Sequence, residues 1–402
     1  MNKTKKILYI HQYFFTPNQA GGTRSYWFAQ ELIKNDIEVT ILTSRSVQDK
    51  LIEKVSIDGI NVIYIKNSYD NSFSVLKRIW SFIRFMFIST YIAFREKEVD
   101  LVFATSTPLT IGVPAILLKW FKAKKYIFEV RDLWPEVPIQ MGGVNNIAVI
   151  WLLKMMEKVI YKNASHIVAL SPGMKQGVLD VGIDEIDISL IPNMSKIDQF
   201  YHRNKDKELM NKYGLLEDEF YIIHFGAMGL ANGLEYIIDA AKILQDKGYL
   251  NIKFLFAGEG GQEDILKKKV KEYGLNNVIF LGKFKMKEMA EIVNIADCTI
   301  TTFSNLPILQ TNSPNKLFDS LSAQKPIIVN SAGWTKTMVE ENSCGAYVDP
   351  TKPSELVDLL IDWENNESEL ITMGLNSRKL AEQVFDKSIL TKEFLNVIIG
   401  NI

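Results

Sequence analysis

The chain has 402 residues, of which 47% are hydrophobic and 23% are charged. This composition excludes a mainly disordered, collagen-like or coiled-coil protein, and the length predicts two domains. The net charge of −1 combines a basic first half, in which 24 Lys and Arg residues exceed 19 Asp and Glu residues, with an acidic second half. Neither imbalance is large enough to indicate a nucleic acid as the main partner. The two cysteines, Cys298 and Cys344, exclude a disulfide framework, and we expect them to be buried.

Short apolar runs alternate with longer amphipathic stretches along the first half of the chain. The runs predicted to be strands are 7–10, 39–42, 62–65, 101–103, 126–128 and 167–170. Helical patterns lie between them, at 25–34, 74–95 and 147–162 among others. Buried strands that alternate with helices predict a parallel sheet covered on both faces. The first run is far shorter than the apolar region of a signal peptide, so we expect none.

The second half restarts the same pattern after a polar linker at 191–207. Its predicted strands are 221–225, 252–256, 278–281, 299–301 and 327–329, and its predicted helices are 234–245, 263–273, 287–295, 316–323, 355–365 and 367–384. The fold class is therefore α/β, with two doubly wound, Rossmann-like domains facing a cleft. We place the domains at 1–195 and 196–402, and expect that the C-terminal helix could pack back on the first. In such sheets, ligands bind beyond the carboxyl ends of the strands.

Two segments of the first half follow predicted strands and carry candidate site residues. Gly21 and Gly22 would let an anion approach the backbone and the helix that begins after them, although a plain tight turn has the same pattern. Arg131 could bind phosphate or carboxylate, and Asp132 could accept a proton or a sugar hydroxyl. The alternative is an internal salt-bridged loop. His11 ends the first strand and faces either the cleft or the core.

Two segments of the second half suit a nucleotide. The loop with Gly226, Asn232 and Gly233 again joins a strand to a helix, and its glycines would let a diphosphate approach main-chain donors. Further on, Ser313 is a predicted N-cap and Pro314 a predicted first helical residue. Asn315 and Lys316 would then crowd the helix start for phosphates, with Asp319 one turn on for ribose hydroxyls; a capped helix without a ligand is the alternative. The turn 258–261 is expected to be structural.

The sequence predicts neither a metal site nor a helix that spans a membrane. The four histidines lack metal-ligand spacing, and we expect His166 and His224 to be satisfied core residues. The stretch from Phe73 to Arg95 is aromatic-rich, with Lys77, Arg84 and Arg95 on one helical stripe. Its longest uncharged run is too short to span a bilayer. It predicts either a helix lying on anionic lipid or a helix packed on its own sheet with a basic edge. A second basic-aromatic patch follows at 119–125.

Taken in order, these motifs resemble those of the GT-B, family 4 glycosyltransferases over nearly the whole chain. The likeness is greatest to the bacterial capsule and O-antigen branch often described as L-fucosamine transferases. The residues that carry it are His11-Gln-Tyr-Phe, Gly21-Gly-Thr-Arg-Ser, Arg131-Asp-Leu-Trp-Pro, Gly226 with Asn232-Gly233-Leu-Glu, and Ser313-Pro-Asn-Lys-Leu-Phe-Asp319.

The resemblance implies a retaining glycosyltransferase that needs neither metal nor cofactor. Its donor would be a nucleotide sugar, commonly UDP-linked, with N-acetyl-L-fucosamine as the sugar that this branch suggests. The acceptor would be a saccharide linked to polyprenyl diphosphate. The enzyme would then be cytoplasmic and peripheral on the inner face of the plasma membrane, with residues 73–95 against the lipid.

The resemblance also implies roles for individual residues. Lys316, Arg131 and Asp132 would be catalytic, with the last two in the place of the family's cleft His-Asp pair. His11, Arg24 and Arg131 would bind the acceptor. The donor would be bound by Gly21, Gly22, Gly226, Asn232, Gly233, Asn315, Lys316, Leu317 and Asp319. Lys316 and the amides near Asn315 would stabilise the leaving diphosphate, and Asp319 would hold the ribose.

Three positions depart from the family pattern. Thr311 stands where the first acid of the Glu-x7-Glu motif is expected, and Ala227 and Asn232 stand where an Arg and a Lys usually contact the diphosphate. Two alternatives stay open, the first because the same fold hosts it and the second because of these departures. One is a sugar-nucleotide epimerase of the same fold, and the other is a non-catalytic protein that binds the sugar nucleotide in a polysaccharide assembly complex.

Overall fold

The computed structural model describes residues 4–19, 21–69 and 73–402. In this part of the chain, eight strands form the first sheet: β1 (Lys5–Ile10), β2 (Ile37–Arg45), β3 (Ile52–Ile57), β4 (Ile60–Lys66), β5 (Leu101–Thr105), β6 (Lys125–Val130), β7 (His166–Ala169) and β8 (Ile188–Leu190). Their order is β3-β4-β2-β1-β5-β6-β7-β8. Every pairing is parallel except that of β3 with β4.

Six strands of the described residues form the second sheet, which is parallel throughout: β9 (Phe220–Phe225), β10 (Ile252–Ala257), β11 (Val278–Gly282), β12 (Cys298–Thr301), β13 (Ile327–Val329) and β14 (Gly345–Tyr347). Their order is β11-β10-β9-β12-β13-β14. Apolar clusters cover both faces of each sheet. The predicted pair of doubly wound α/β domains is confirmed.

The helices flank these sheets. In the first half they are α1 (Arg24–Lys34), α2 (Val75–Arg95), α3 (Gly112–Lys122), α4 (Glu136–Gln140), α5 (Ile147–Asn163) and α6 (Pro172–Asp180). In the second half they are α7 (Lys207–Lys212), α8 (Glu235–Asp246), α9 (Glu263–Tyr273), α10 (Met286–Ile295), α11 (Asn315–Ser322), α12 (Trp334–Glu341), α13 (Pro353–Glu364), α14 (Glu367–Gln383) and α15 (Lys387–Asn401). None of the helices in the described ranges, α2 included, is long and apolar enough to cross a membrane.

One feature of the first sheet was not predicted, a β-hairpin at its edge. Strand β3 pairs antiparallel with β4 through Asp58 and Gly59, which both have positive φ, at 47° and 84°. An Asp-Gly pair favours this tight turn because both residues tolerate the left-handed region. Strand β3 was missed because its lysine and glutamate interrupt the apolar pattern expected of a buried strand.

The last helix, α15, packs on the first sheet although the second sheet precedes it in the chain. The Phe394 ring stacks on Phe28 of α1 with centroids 3.9 Å apart, and meets Phe103 of β5 edge-on at 4.9 Å. The chain returns beside the outgoing linker, where Ser195 forms a bridge with Asp386. The chain therefore passes between the two domains twice, at two adjacent segments.

A buried ion pair connects helix, sheet and linker in the first domain. Nε of Arg24, the first residue of α1, donates to Glu129 Oε1 of β6 at 2.8 Å. Its other nitrogens donate to the carbonyls of Ile191, at 2.8 Å, and Pro192. Thr105 donates to the second carboxylate oxygen at 2.9 Å. Both charged side chains are almost completely excluded from solvent, so each depends on the other.

Replacing Arg24 by Met would leave the Glu129 carboxylate buried without a counter-charge. We expect Arg24→Met to lower the free energy of unfolding by about 3–5 kcal/mol, measured by urea denaturation. Lys34→Met, at the exposed end of the same helix, is the control, with an expected change within about 0.5 kcal/mol. Equal stability of the two variants would contradict a structural role for the pair.

Candidate active site

The carboxyl ends of the strands bring the two groups of candidate residues to one cleft. In the first domain, His11 follows β1, and Arg131 and Asp132 follow β6. In the second domain, the glycine loop that starts at Gly226 follows β9, and Lys316 lies in the first turn of α11.

His11 is buried and holds Arg131 in place. Its Nδ1 lies 2.7 Å from Ser25 Oγ, and its Nε2 lies 3.1 Å from a terminal nitrogen of Arg131. A guanidinium can only donate, so Nε2 accepts and the ring proton sits on Nδ1, which donates to Ser25. Burial, with the charge of Arg131, keeps the pKa of His11 well below its ordinary value. The ring is therefore neutral and orients the guanidinium.

Asp132 is anchored beside this pair. Its Oδ2 accepts a hydrogen bond from Thr107 Oγ1 at 2.7 Å, and the backbone N–H of Arg131 donates to Ser106 Oγ at 2.9 Å. Burial raises the pKa of the Asp132 carboxyl, against the opposing effects of Thr107 and Arg131. The carboxylate keeps one oxygen for a further partner, as a proton or hydroxyl acceptor requires.

The first glycine turn touches both domains. Gly21 has φ +147°, and a Cβ there would lie within 2.5 Å of the Phe15 ring. A Cβ on Gly22 would lie 3.3 Å from Asn315 Nδ2 and 3.4 Å from an Arg131 guanidinium nitrogen. The space beside Gly22 where a side chain would lie is thus bordered by Arg131 of the first domain and Asn315 of the second.

Lys316 points towards the second glycine loop. Its Nζ lies 3.2 Å from His224 Nε2 and 3.5 Å from Asn232 Oδ1. A Cβ on Gly226, which has φ +101°, would lie 3.7 Å from Lys316 Cε. The ammonium therefore faces the backbone of Gly226, which carries no side chain.

The charge of Lys316 has no carboxylate partner among the described residues. Burial lowers the pKa of Lys316 to about 7. Burial, with the charge of Lys316, also lowers the pKa of His224 well below its ordinary value, so the imidazole is a neutral acceptor. An anion that entered this space would supply the charge that Lys316 lacks and would raise the pKa of the lysine.

The rest of the glycine loop is held by the segment after β12. Gly233 has φ +57°, and a Cβ there would lie 2.8 Å from the backbone N of Ser304. Thr302 Oγ1 donates to the Asn232 carbonyl at 2.7 Å. The second turn, 258–261, packs on the loop from behind, because a Cβ on Gly258 would overlap the Gly226 carbonyl. That turn has the structural role expected of it.

Three expected site residues, Arg24, Leu317 and Asp319, make contacts within the protein. Arg24, expected to bind the acceptor, is buried and donates from all three of its nitrogens to Glu129 and two linker carbonyls. Leu317 is fully buried and its N–H donates to the Pro314 carbonyl. Both residues are thus engaged within the protein, and a ligand-binding role for either stays a prediction.

Asp319, expected to hold the ribose, is buried and paired with Lys196 of the linker. The Lys196 Nζ lies 2.9 Å from Asp319 Oδ1, and both side chains are at most 6% exposed. Burial raises the pKa of the Asp319 carboxyl while Lys196 opposes it. Asp319 therefore fixes the helix to the linker, and its contact with a ribose stays a prediction.

The loop before α11 is braced from the first domain. Ser171 donates to the Thr311 carbonyl, and Asn193 Nδ2 donates to the Ser313 carbonyl at 2.6 Å. A Cβ on Gly173 of α6 would lie 2.9 Å from Thr311 Cγ2, so Thr311 packs on the first domain. The predicted Ser313 cap is wrong, since the helix starts at Asn315 and Pro314 occupies the cap position without a side-chain hydrogen bond.

Two family models match the chain, one in each half. Residues 20–194 match the glycosyl transferase 4-like domain, and residues 205–380 match the glycosyl transferases group 1. Each half of the chain therefore contains a glycosyltransferase family domain. The two matches divide at the linker, so each Rossmann-like unit corresponds to one family domain.

The curated relatives of this chain are distant. WcaI of Escherichia coli, named for colanic acid biosynthesis, is 24% identical over 59% of this chain and 58% of its own length. The glycosyltransferase WbjE of Pseudomonas aeruginosa is 22% identical over 75% of this chain and 74% of its own. CapM of Staphylococcus aureus, named for capsular polysaccharide biosynthesis, is 24% identical over 60% and 63%. The matches thus span less than two thirds of WcaI and CapM.

Solved structures share the fold over nearly the full length. Sucrose-phosphate synthase from Thermosynechococcus elongatus superposes with a TM-score of 0.76 at 16% identity, covering 98% of each chain. HepE from Anabaena, solved with UDP and glucose, superposes with a TM-score of 0.72 at 17% identity, covering 98% of this chain and 99% of its own. These likenesses confirm the GT-B architecture.

Sequence reasoning missed the part that His224 plays. It was expected to be a core residue because it lies inside an apolar strand, yet its Nε2 faces Lys316. The signal available was its position, one residue before the end of β9, where a strand side chain borders the cleft. In the described ranges, no three His, Cys, Asp or Glu side chains are grouped as a metal site would need.

The tautomers of His11 and His224 give a direct test of this geometry. We expect both rings to stay neutral from about pH 8 to about pH 6, with the proton on Nδ1, because burial and an adjacent cation oppose a second proton. Nitrogen–proton correlation spectra of the imidazoles, assigned with His11→Gln and His224→Gln, report both properties. An imidazolium signal from either ring at the lower pH would refute the acceptor role of Nε2.

Proposed function

We propose that this protein transfers a sugar from a UDP-sugar to a saccharide linked to polyprenyl diphosphate, in the synthesis of a surface polysaccharide. The observation that carries the proposal is Lys316, a cation without a carboxylate partner in the described chain, which faces the side-chain-free backbone at Gly226. The family, the relatives named for colanic acid and capsule synthesis, and the UDP-bound HepE neighbour support it.

The donor diphosphate would bind between Lys316, Asn315 and the loop at Gly226. Lys316 would carry its full charge there, because a diphosphate stabilises the protonated form. His224, being neutral, keeps Lys316 in place without competing for the anion. Since the departing nucleoside diphosphate gains negative charge, Lys316 stabilises the transition state more than the bound donor.

The first domain would place the acceptor against the donor sugar. Arg131, oriented by His11, brings a second positive charge to the cleft next to Gly22. Asp132 would accept a hydrogen bond from the acceptor hydroxyl and orient its oxygen. We propose attack from the face that the diphosphate leaves, with retention of configuration, and N-acetyl-L-fucosamine as the first sugar to test.

The test is the release of UDP from a panel of UDP-sugars, with and without polyprenyl-diphosphate-linked acceptors. Release that requires an acceptor, together with a lipid-linked product, supports the transferase. Conversion of the donor sugar without an acceptor supports the epimerase, and donor binding without turnover supports the binding protein. Repeating the assay in EDTA tests the expectation that no metal is needed. Product anomers analysed by NMR test retention.

Lys316→Ala should abolish most of this turnover. We expect kcat to fall by about 100- to 1000-fold, as for the loss of one preorganised charge-stabilising donor. The Tm should not fall, because the variant removes a buried cation that lacks a carboxylate partner in the described chain. Lys247→Ala, at an exposed end of α8, is the matched control. Near-normal turnover of Lys316→Ala would overturn the role of Lys316.

The lowered pKa of Lys316 predicts a pH dependence of UDP binding. Lys316 loses its proton above about pH 7 in the free protein and regains it on binding the diphosphate. The Kd should therefore rise by up to about tenfold per pH unit between about pH 7 and about pH 9, with proton uptake detectable by calorimetry in two buffers. In Lys316→Arg this slope should disappear, because arginine stays protonated.

We also propose that the first domain lies on the membrane. Helices α2, α3 and α5 are neighbours, and they leave large apolar side chains exposed. This exposed apolar face consists of Trp80, Phe87, Tyr91, Trp120, Phe121, Ile147, Trp151 and Leu152, with Trp80 65% and Trp151 66% exposed. Exposed lysines of the same helices include Lys77, Lys122 and Lys158. Aromatic and basic side chains together favour the interface of an anionic bilayer.

Sedimentation with phospholipid vesicles tests this orientation. We expect binding to vesicles containing phosphatidylglycerol, weaker at high salt, and a loss of at least about tenfold in W80S/W151S. The control L216S/L250S removes two exposed apolar side chains from the second domain. Equal binding by both double variants would place the membrane contact elsewhere.

A further inference from the structure

Four aromatic side chains from separate parts of the first domain form a continuous row. Tyr13 follows β1, Tyr69 follows β4, Phe82 belongs to α2, and Trp134 follows β6. The ring centroids of Tyr13 and Tyr69 are 5.1 Å apart, those of Tyr69 and Phe82 are 5.5 Å apart, and those of Phe82 and Trp134 are 6.0 Å apart. We call these four residues the aromatic row.

The aromatic row begins and ends beside the catalytic residues proposed in the first domain. Tyr13 lies two residues after His11, and Trp134 lies two residues after Asp132. Three of its members follow parallel strands, whose carboxyl ends share one edge of the sheet. The row therefore borders the same edge of the first sheet as Arg131.

The row lies at the margin of the core, and Trp134 packs against the apolar cluster of the first sheet. All four residues are half-buried, so each ring is only partly covered by protein. Phe85, one turn after Phe82 on α2, is 1% exposed and belongs to the apolar core of the sheet. Helix α2 thus buries Phe85 for stability and leaves Phe82 at the surface between two other rings.

We infer that the aromatic row is the platform on which the saccharide of the acceptor stacks. Sugar rings present flat faces of C–H groups that pack on aromatic rings, while their hydroxyls stay free for polar partners. A sugar on this row would have its hydroxyls towards Asp132 and Arg131. The inference rests on the proposed function, since it names the site that the acceptor occupies.

The saccharide fits the row better than the prenyl chain does. The row adjoins the residues proposed to orient the reacting hydroxyl, and that hydroxyl belongs to the sugar. The side chains suited to lipid are those of the exposed apolar face, such as Trp80 and Phe87, which are mostly exposed rather than half-buried. The acceptor would then lie with its prenyl chain at α2 and its sugar on the row.

Phe82→Leu tests the inference, because Leu keeps an apolar side chain of similar size without the ring. Phe82→Tyr retains the ring and serves as the rescue variant. Tyr273→Leu, a partly exposed aromatic residue of α9, is the control. The probes are farnesyl diphosphate and a panel of farnesyl-diphosphate-linked sugars (N-acetylglucosamine, N-acetylgalactosamine, glucose and galactose), with UDP binding measured alongside.

We expect Phe82→Leu to raise the KM of the linked sugar by about tenfold, with the Kd for UDP within about twofold of wild type and near-normal behaviour restored in Phe82→Tyr. Equal weakening of sugar-free farnesyl diphosphate would overturn the inference in favour of a prenyl site. Unchanged acceptor KM in Phe82→Leu, with an active wild type, would overturn the inference alone. A wild type that uses no acceptor on the panel, while converting a UDP-sugar by itself, would overturn the proposed function and the inference with it.

Discussion

The Arg24–Glu129 ion pair sets the geometry of the first half of the cleft. Arg24 comes two residues after Gly22, and Glu129 comes two residues before Arg131, so the pair fixes the distance between the glycine turn and the guanidinium that faces it. Through the carbonyl of Ile191 the same arginine holds the start of the linker. A buried pair is a costly way to add stability, but it resists displacement because neither charge tolerates being left alone. Position, rather than stability, is what this pair gives the site.

Two lysines of the second half, Lys196 and Lys316, are a contrast that separates structure from function. Lys196 has a carboxylate partner in Asp319, 2.9 Å away, and the pair fastens α11 to the linker. Lys316, on the same helix as Asp319, has only the neutral groups of His224 and Asn232. Desolvating a cation without compensation costs free energy, and a site that binds an anion recovers this cost when it is occupied. The unpaired lysine is thus the one suited to a diphosphate.

Sequence patterns predicted the strands well, because a parallel sheet buried on both faces requires unbroken apolar runs such as residues 7–10. They failed where the decisive contact lies far along the chain. The pattern around Arg24 does not show that it pairs with Glu129. The pattern around Asp319 likewise does not show that it pairs with Lys196. Each partner is more than a hundred residues away along the chain. The edge strand β14 was missed because Gly345 and Ala346 do not form an apolar run, whereas the equally short β13 consists of Ile and Val and was predicted.

The position of Thr311 explains how the site can lack the acid that the family pattern leads one to expect. Its methyl group packs against Gly173 of α6 and its carbonyl accepts from Ser171, so this side chain belongs to the contact between domains. A longer carboxylate there would have to displace α6 or be buried beside it without a partner. The loop before α11 is in turn held against the first domain by Asn193. On the proposed function, binding of the donor would depend on backbone placement and on Lys316, and a movement of the domains would be transmitted to α11 through this loop.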